Sequence, residues 1–180
     1  RMQEPMILGH EVAGTVAEVG AAVTHLKVGD RVAVNPSRPC WNCRYCHEGL
    51  PNQCLDMRYY GSAMRTPHIQ GAFRNALVCD EAQCFKVAEG VPMSMAALAE
   101  PFSVGLHAIQ RAGPLIGKKV LISGCGPIGA LVVAAAKLHG AAEIVATDVM
   151  DQPLAVVKKL GPSHTINVAS DKDWVQRYSA

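Results

Sequence analysis

The chain has 180 residues, room for one full domain or parts of two, with a formal net charge of +2 and 49% hydrophobic residues. That balance argues against a disordered segment and leaves no electrostatic footprint for nucleic acid. No apolar run approaches the ~18 residues of a membrane span, and the first residues lack a signal-peptide apolar region. Cys79, Cys84 and Cys125, an odd remainder outside the cluster described below, favour reduced thiols in a cytoplasmic compartment.

In chain order, Gly9-His10-Glu11 comes first, on a predicted turn. A histidine and a glutamate side by side can supply two ligands of an open zinc site, although a lone pair of this kind is ordinary surface. Residues 12–19 alternate as a half-buried strand, and Gly29-Asp30 turns into a second strand at 31–34. Short strands are expected again around 72–78 and 83–87. Helix signals cover 94–98, and a second helix follows Pro101 to about Arg111, where Gly113-Pro114 ends it. From Lys118 the pattern becomes β-α-β-α-β over 119–123, 127–139, 143–147, 152–160 and 164–168. Strands alternating with helices of this length predict a parallel, doubly wound sheet. Character changes near residue 115, so the expected division is an irregular β domain over 1–114 and an α/β Rossmann-type domain over 115–180. Neither end carries a clear domain edge, and the chain reads as a piece of a longer protein.

Between the second and third strands lie Cys40, Cys43, Cys46 and Cys54, spaced C-x2-C-x2-C-x7-C. Four thiolates so close in sequence can converge on one tetrahedral metal, and an all-sulfur set points to zinc or an iron–sulfur centre. All four positions are filled by protein, so the metal would hold the loop rather than act on substrate. Pro36, Pro39, Gly49 and Pro51 interrupt regular structure here. Scattered cysteines or a disulfide pair are the bland alternative.

Gly124-Cys125-Gly126-Pro127-Ile128-Gly129 follows the apolar strand 120–122 and opens a helix, the context in which GxGxxG binds a dinucleotide. Gly124 permits the tight turn, Gly126 lets the backbone approach a pyrophosphate, and Gly129 allows close helix–strand packing. The helix that opens at Pro127-Ile128-Gly129 presents its free N–H groups, from Ile128 onward, to the phosphates. Asp148 ends the next strand, nineteen positions after Gly129. A carboxylate there accepts a hydrogen bond from a ribose 2′-hydroxyl and repels a 2′-phosphate, favouring NAD over NADP. A glycine-rich turn without ligand is the alternative.

Taken together, these features resemble the medium-chain zinc-dependent alcohol and polyol dehydrogenases over essentially the whole chain. The matching segments are Gly9-His10-Glu11-Val12-Ala13-Gly14, Gly29-Asp30-Arg31-Val32, the cysteine quartet, Ala99-Glu100-Pro101 and the glycine turn. Glu100 before proline is typical of the sorbitol dehydrogenase-like branch. Within it, Asn35 to Cys40 and Asp56 to Met64 are most similar to the L-idonate 5-dehydrogenases. The resemblance implies a GroES-like catalytic domain, incomplete at its start, and the first half of a Rossmann domain. It implies that His10 and Glu11 bind a catalytic zinc, and that Glu100 approaches it directly or through bound water, with Glu11 and Glu100 the catalytic carboxylates. It also implies a structural zinc on the four cysteines, NAD as cofactor, and a dimer or tetramer when complete. The expected reaction is oxidation of a secondary alcohol of a sugar acid or polyol to a ketone, L-idonate to 5-keto-D-gluconate first. Sorbitol, butanediol and threonine dehydrogenases are the sister readings, and a zinc-stapled binding module is the reading from another class. The family's upstream cysteine ligand and proton relay are absent, so the chain alone is expected to be inactive. Pro153 stands where the family often has a basic residue.

Other residues draw more modest expectations. His47 is expected to be a solvated loop residue, His107 a polar packing residue or an outer neighbour of Glu100, and His25 and His139 surface. Tyr60 is matched to a pocket aromatic, with Tyr59 competing. Cys125 is a bystander whose position leaves it open to oxidation, and 171–173 is a charged helix start.

Overall fold

Val32 and Val34 alternate with the half-buried Arg31 and Ala33 along β2 (Arg31–Val34), as a strand with one buried face requires. β2 is the middle of a three-stranded antiparallel sheet, between β1 (Val12–Thr15) and β5 (Cys84–Lys86), with Val12 opposite Val34 and Val34 opposite Cys84. The computed structural model describes residues 4–178. β1 stops at Thr15 rather than at residue 19, because its partner begins only at Arg31, after a turn through Gly29 at φ 91°. Among the described residues no strand pairs with 17–19. A second, two-stranded ribbon joins β3 (Ser37–Arg38) to β4 (Arg58–Tyr59), with Ser37 opposite Tyr59. Between them the cysteine loop contains one short helix, α1 (Arg44–His47).

The strand expected at 72–78 does not form. The N–H groups of Gly71, Ala72 and Phe73 go instead to the carbonyls of Ile7, Gly9 and Leu8, at 2.7, 2.9 and 3.0 Å, an irregular crossing rather than a ladder. α2 (Met93–Ala97) and α3 (Ala99–Ala112) follow. Pro101 sits in the first turn of α3, where its missing N–H costs nothing, so the helix starts before the proline rather than after it. Gly113, at φ 84°, closes α3 by donating to the Ile109 carbonyl at 3.1 Å.

The chain divides into two compact units, Arg1–Glu100 and Pro101–Ala180. The division falls earlier than the change in sequence character near 115 because α3 buries Pro101, Gly105 and Ile109 on one face, and Ile109 belongs to the core of the second unit. That unit is a parallel sheet in the order β6 (Lys119–Ser123), β7 (Glu143–Asp148), β8 (His164–Asn167). The crossovers are α4 (Pro127–Leu138) and α5 (Asp151–Lys158), and α6 (Trp174–Tyr178) comes last. β7 has neighbours on both sides and buries the run Ile144, Val145, Ala146, Thr147, as a central parallel strand does. Val133 and Val157, on α4 and α5, are fully enclosed in the same core. Every element read from the α/β pattern is present within two residues of its expected bounds. Among the described residues, no helix is long and apolar enough to cross a membrane.

Candidate functional site

The sulfur atoms of Cys40, Cys43, Cys46 and Cys54 all lie within 4.8 Å of one another, and Cys43 Sγ is 3.6 Å from Cys46 Sγ. A tetrahedron with Zn–S bonds of about 2.3 Å has edges of roughly 3.8 Å, so the four-sulfur set fits zinc. The loop is shaped for this by backbone rather than by apolar packing. Trp41 takes a left-handed φ of 56° just after Cys40, and the Cys40 N–H donates to Cys54 Sγ at 3.1 Å. Backbone N–H groups of Leu55 and Cys46 hold the Cys43 thiol down to about 6, while burial pushes Cys46 up to about 12. A cation among the four sulfurs would favour the thiolate at each of them.

A second group converges at the edge of the antiparallel sheet. One ligand atom each from His10, Glu11 and Glu100 lies within 4.8 Å of the others. His10 and Glu11 immediately precede β1, and Glu100 is the second residue of α3. Three close backbone passages fix the turn that carries His10. Gly9 has φ 92° and a Cβ there would run into the Phe73 ring; a Cβ at Gly61 would come within 2.7 Å of the Gly9 carbonyl oxygen; one at Gly71 would overlap the Leu8 carbonyl. Gly61 and Gly71 were not singled out from the sequence, although Gly61 follows the Tyr59-Tyr60 pair and Gly71 stands two residues before Phe73. The set offers one imidazole and two carboxylates with no further His, Cys, Asp or Glu ligand among the described residues, so it suits an open N/O metal site.

Tyr59 joins this group. Its hydroxyl donates to Glu100 Oε1 at 2.5 Å, and its ring lies 5.4 Å from the His10 ring at 59°. Burial, then the bond to Glu100, raises the phenol well above its usual range, so it stays protonated and donating. Tyr60 does not join the group: it is 4% exposed in the β2 core, its hydroxyl facing the Val78 carbonyl at 3.3 Å and the Gln83 side-chain oxygen at 3.2 Å. Tyr60 lines a separate cavity of about 600 Å³ with Arg38, Arg58, Arg65 and His68.

The glycine turn has the shape its sequence implies. Gly124 is left-handed at φ 89°, a Cβ at Gly129 would overlap the Gly124 carbonyl, and a Cβ at Gly126 would meet nothing within 4 Å. Gly126 caps α4 with no side-chain bond to the helix and Pro127 stands in the first turn, leaving the N–H groups of Ile128 and Gly129 without a side-chain acceptor from the cap. Asp148 reaches the same turn: Oδ2 accepts from the Cys125 N–H at 2.7 Å and Oδ1 from the Met150 N–H at 2.9 Å. Those N–H bonds hold the Asp148 carboxyl below the usual carboxylate range. The open side at Gly126, the uncapped helix start and the carboxylate together fit a dinucleotide.

Cys125 is not open to oxidation as expected. It is 3% exposed, its thiol donates to the Thr147 carbonyl at 3.4 Å, and burial raises its pKa. His47 is exposed at the end of α1, outside the sulfur cluster. His107 is exposed and off the buried face of α3, and His25 and His139 are on the surface.

Two family models match this chain: the alcohol dehydrogenase GroES-like domain over residues 1–89 and the zinc-binding dehydrogenase domain over residues 127–180. The chain belongs to the medium-chain zinc-binding dehydrogenases. Its architecture is accordingly a GroES-like unit followed by a Rossmann-like one. It is 44% identical over 170 residues to "L-idonate 5-dehydrogenase (NAD(P)(+))" of Escherichia coli, covering 94% of this chain and 49% of that protein. It is 41% identical to the sorbitol dehydrogenase of Arabidopsis thaliana, covering 94% and 46%. The crystal structure of the E. coli L-idonate 5-dehydrogenase superposes with a TM-score of 0.88, over 94% of this chain and 48% of that one. The chain spans about half the length of the curated relatives it matches.

Proposed function

We propose that this chain carries the metal centres and the first nucleotide-binding half of a zinc- and NAD-dependent dehydrogenase acting on a secondary alcohol of a sugar acid or polyol. The observation that carries it is the pairing, in one chain, of a closed four-sulfur cluster with an open imidazole–carboxylate group. In this reading Cys40, Cys43, Cys46 and Cys54 hold a structural zinc. His10, Glu11 and Glu100 hold a catalytic one, which when bound supplies Lewis acidity that favours an alkoxide at neutral pH. NAD, seated on residues 124–129, supplies the hydride acceptor.

The protein's own part is positioning. His10 and Glu11 are presented together by the turn that the three glycine passages hold in place. Glu100 accepts a proton or hydrogen bond from the substrate hydroxyl. The N–H groups at the start of α4 receive the pyrophosphate, and the carboxylate of Asp148 receives the ribose hydroxyls. The zinc-bearing role belongs to residues 1–114 and the nucleotide role to 115–180. The complete protein is a homo-oligomer of the cytoplasm in this reading.

L-idonate, oxidised to 5-keto-D-gluconate, is the first substrate to try, supported by the 44% identity to the E. coli enzyme of that name. The sorbitol dehydrogenase at 41% is close enough to make sorbitol the second. The test is NAD-dependent oxidation of L-idonate by the full-length protein, with sorbitol, 2,3-butanediol and L-threonine alongside. Turnover of sorbitol or threonine with none of L-idonate would move it to a sister activity. Clear turnover by the 180-residue chain alone would overturn the assignment of missing catalytic parts.

A further inference from the structure

Tyr59 touches two of the three residues that converge as the open metal group. Its hydroxyl donates to Glu100 Oε1 at 2.5 Å, and its ring packs against the His10 imidazole with centroids 5.4 Å apart. The strand fixes this placement: Tyr59 is the last residue of β4, held opposite Ser37, and the left-handed Gly61 two residues on carries the chain across Gly9. A phenylalanine would fill the same ring volume, so the hydroxyl is the part that reaches the carboxylate. A phenol also differs from a lysine or arginine in this position. It orders a carboxylate without bringing a positive charge beside a cation.

We propose that Tyr59 is a positioning residue of the metal centre: its hydroxyl orders the Glu100 carboxylate, while its ring restrains the His10 imidazole. The proposal rests on the reading of His10, Glu11 and Glu100 as metal ligands. A carboxylate ordered before the ion arrives loses less freedom on binding, and an outer hydrogen bond of this kind sets which oxygen faces the metal.

The test uses the chain with its cysteine cluster already loaded with zinc. Zn²⁺ is then titrated calorimetrically, and Co²⁺ is added in a parallel sample to read the visible spectrum of the second site. Tyr59→Phe is expected to weaken this second step about 10- to 100-fold. It should also change the cobalt absorption, and leave the cysteine step and the thermal midpoint unchanged. Glu100→Asp, which draws the carboxylate away from the hydroxyl, is expected to give a comparable loss with Tyr59 intact. Tyr59→Phe added to Glu100→Gln should weaken binding no further than Glu100→Gln alone, because the hydroxyl acts through that carboxylate. A second step undiminished in Tyr59→Phe, or a full additional loss on top of Glu100→Gln, overturns the inference and leaves the metal centre standing. A native chain that takes up no second metal overturns the centre and the inference together.

Discussion

The second unit holds itself together with a continuous apolar core, in which Val133, Ala135, Ala136, Ile144, Ala146 and Val157 interlock between sheet and helices. The first unit has little of this. Its buried apolar cluster is Val32, Val34 and Tyr60, and His68 and Gln83 are buried among its polar groups. What orders it is a set of discrete contacts. Gln83 Nε2 donates to the Asn35 and Ser37 carbonyls at 2.8 and 3.3 Å, Arg65 donates to the Leu55 carbonyl at 2.8 Å, and four sulfurs gather in the loop between β3 and β4. A distributed core loses stability in small steps, whereas a unit held by a few contacts fails locally when one is removed. The candidate chemistry lies where those contacts are.

Metal removal separates the two units most sharply. Structural zinc in small finger peptides contributes about 10–16 kcal/mol of binding free energy, which is also folding free energy for the segment that holds it. Chelation, or Cys43→Ser, should therefore unfold residues 40–54 while the amides of β6, β7 and α4 keep their protection. Hydrogen exchange read segment by segment checks this. Equal loss of protection in both units would erase the distinction. Elemental analysis of the purified chain should find one tightly held zinc, because the open group contains no thiolate; iron with sulfide would refute the zinc assignment.

Glycine substitutions give the next largest effects, and they sort by what a Cβ would meet. Gly129→Ala and Gly71→Ala push a methyl into the Gly124 and Leu8 carbonyls, so each should cost about 1–3 kcal/mol. Gly71→Ala should also weaken the open metal group by displacing the His10 turn. Gly126→Ala meets open space and should leave the chain's stability within about 0.5 kcal/mol. In the full-length enzyme it should nonetheless impair NAD binding, because the added methyl occupies the approach to the pyrophosphate. Urea melts of the three variants, with dinucleotide titrations of the full-length forms, decide it. A destabilised Gly126→Ala with unimpaired NAD binding would mean that this turn is structural only.

Cofactor choice is a finer probe of the second unit. Asp148 stands beside the turn with its charge retained by three backbone N–H groups, so the full-length enzyme should prefer NAD+ over NADP+. Asp148→Ser, with a basic residue in place of Pro153, should move the preference toward NADP+. Steady-state kinetics showing equal use of both by the unmodified enzyme would refute the charge argument. The name of the E. coli relative, which gives both acceptors, makes this a real contest.

The two units also differ in how far their sequences disclose them. Alternation of apolar runs with turn glycines located the three strands and two crossover helices of the parallel sheet in the second unit, because each obeys a local period and packs on its neighbours. In the first unit the same reasoning found the two strands of the valine pair and placed the cysteines together, since thiolate spacing is itself a local signal. It missed the crossing of 71–73 over 7–9, which no period announces, and it extended β1 into residues that have no partner. It left Tyr59 and Tyr60 competing, because a two-residue strand carries too little pattern to fix which of them reaches Glu100. Contacts between residues distant in sequence, such as Tyr59 with Glu100, follow from the backbone path rather than from composition.

The smallest effect concerns the ion pair at the sheet edge of the first unit. Lys86 Nζ approaches Asp30 Oδ2 at 2.9 Å, and the Lys27 N–H donates to the same oxygen at 3.1 Å. Lys86, then that N–H, holds the Asp30 carboxyl below the usual range. A carboxyl lowered in the folded state contributes stability above its unfolded pKa of about 3.9 and loses it as pH falls through the folded value. Asp30→Asn should therefore lower the thermal midpoint at neutral pH and converge with the native chain as pH falls through the lowered folded value, below which both are uncharged. Added salt should shrink the neutral-pH difference, since Lys86 is largely exposed and its charge is screened. A gap that is the same at pH 7 and at low pH would show that Asp30 acts through its turn hydrogen bond alone. The first unit would then be held by backbone geometry and sulfur, with no electrostatic share at this edge.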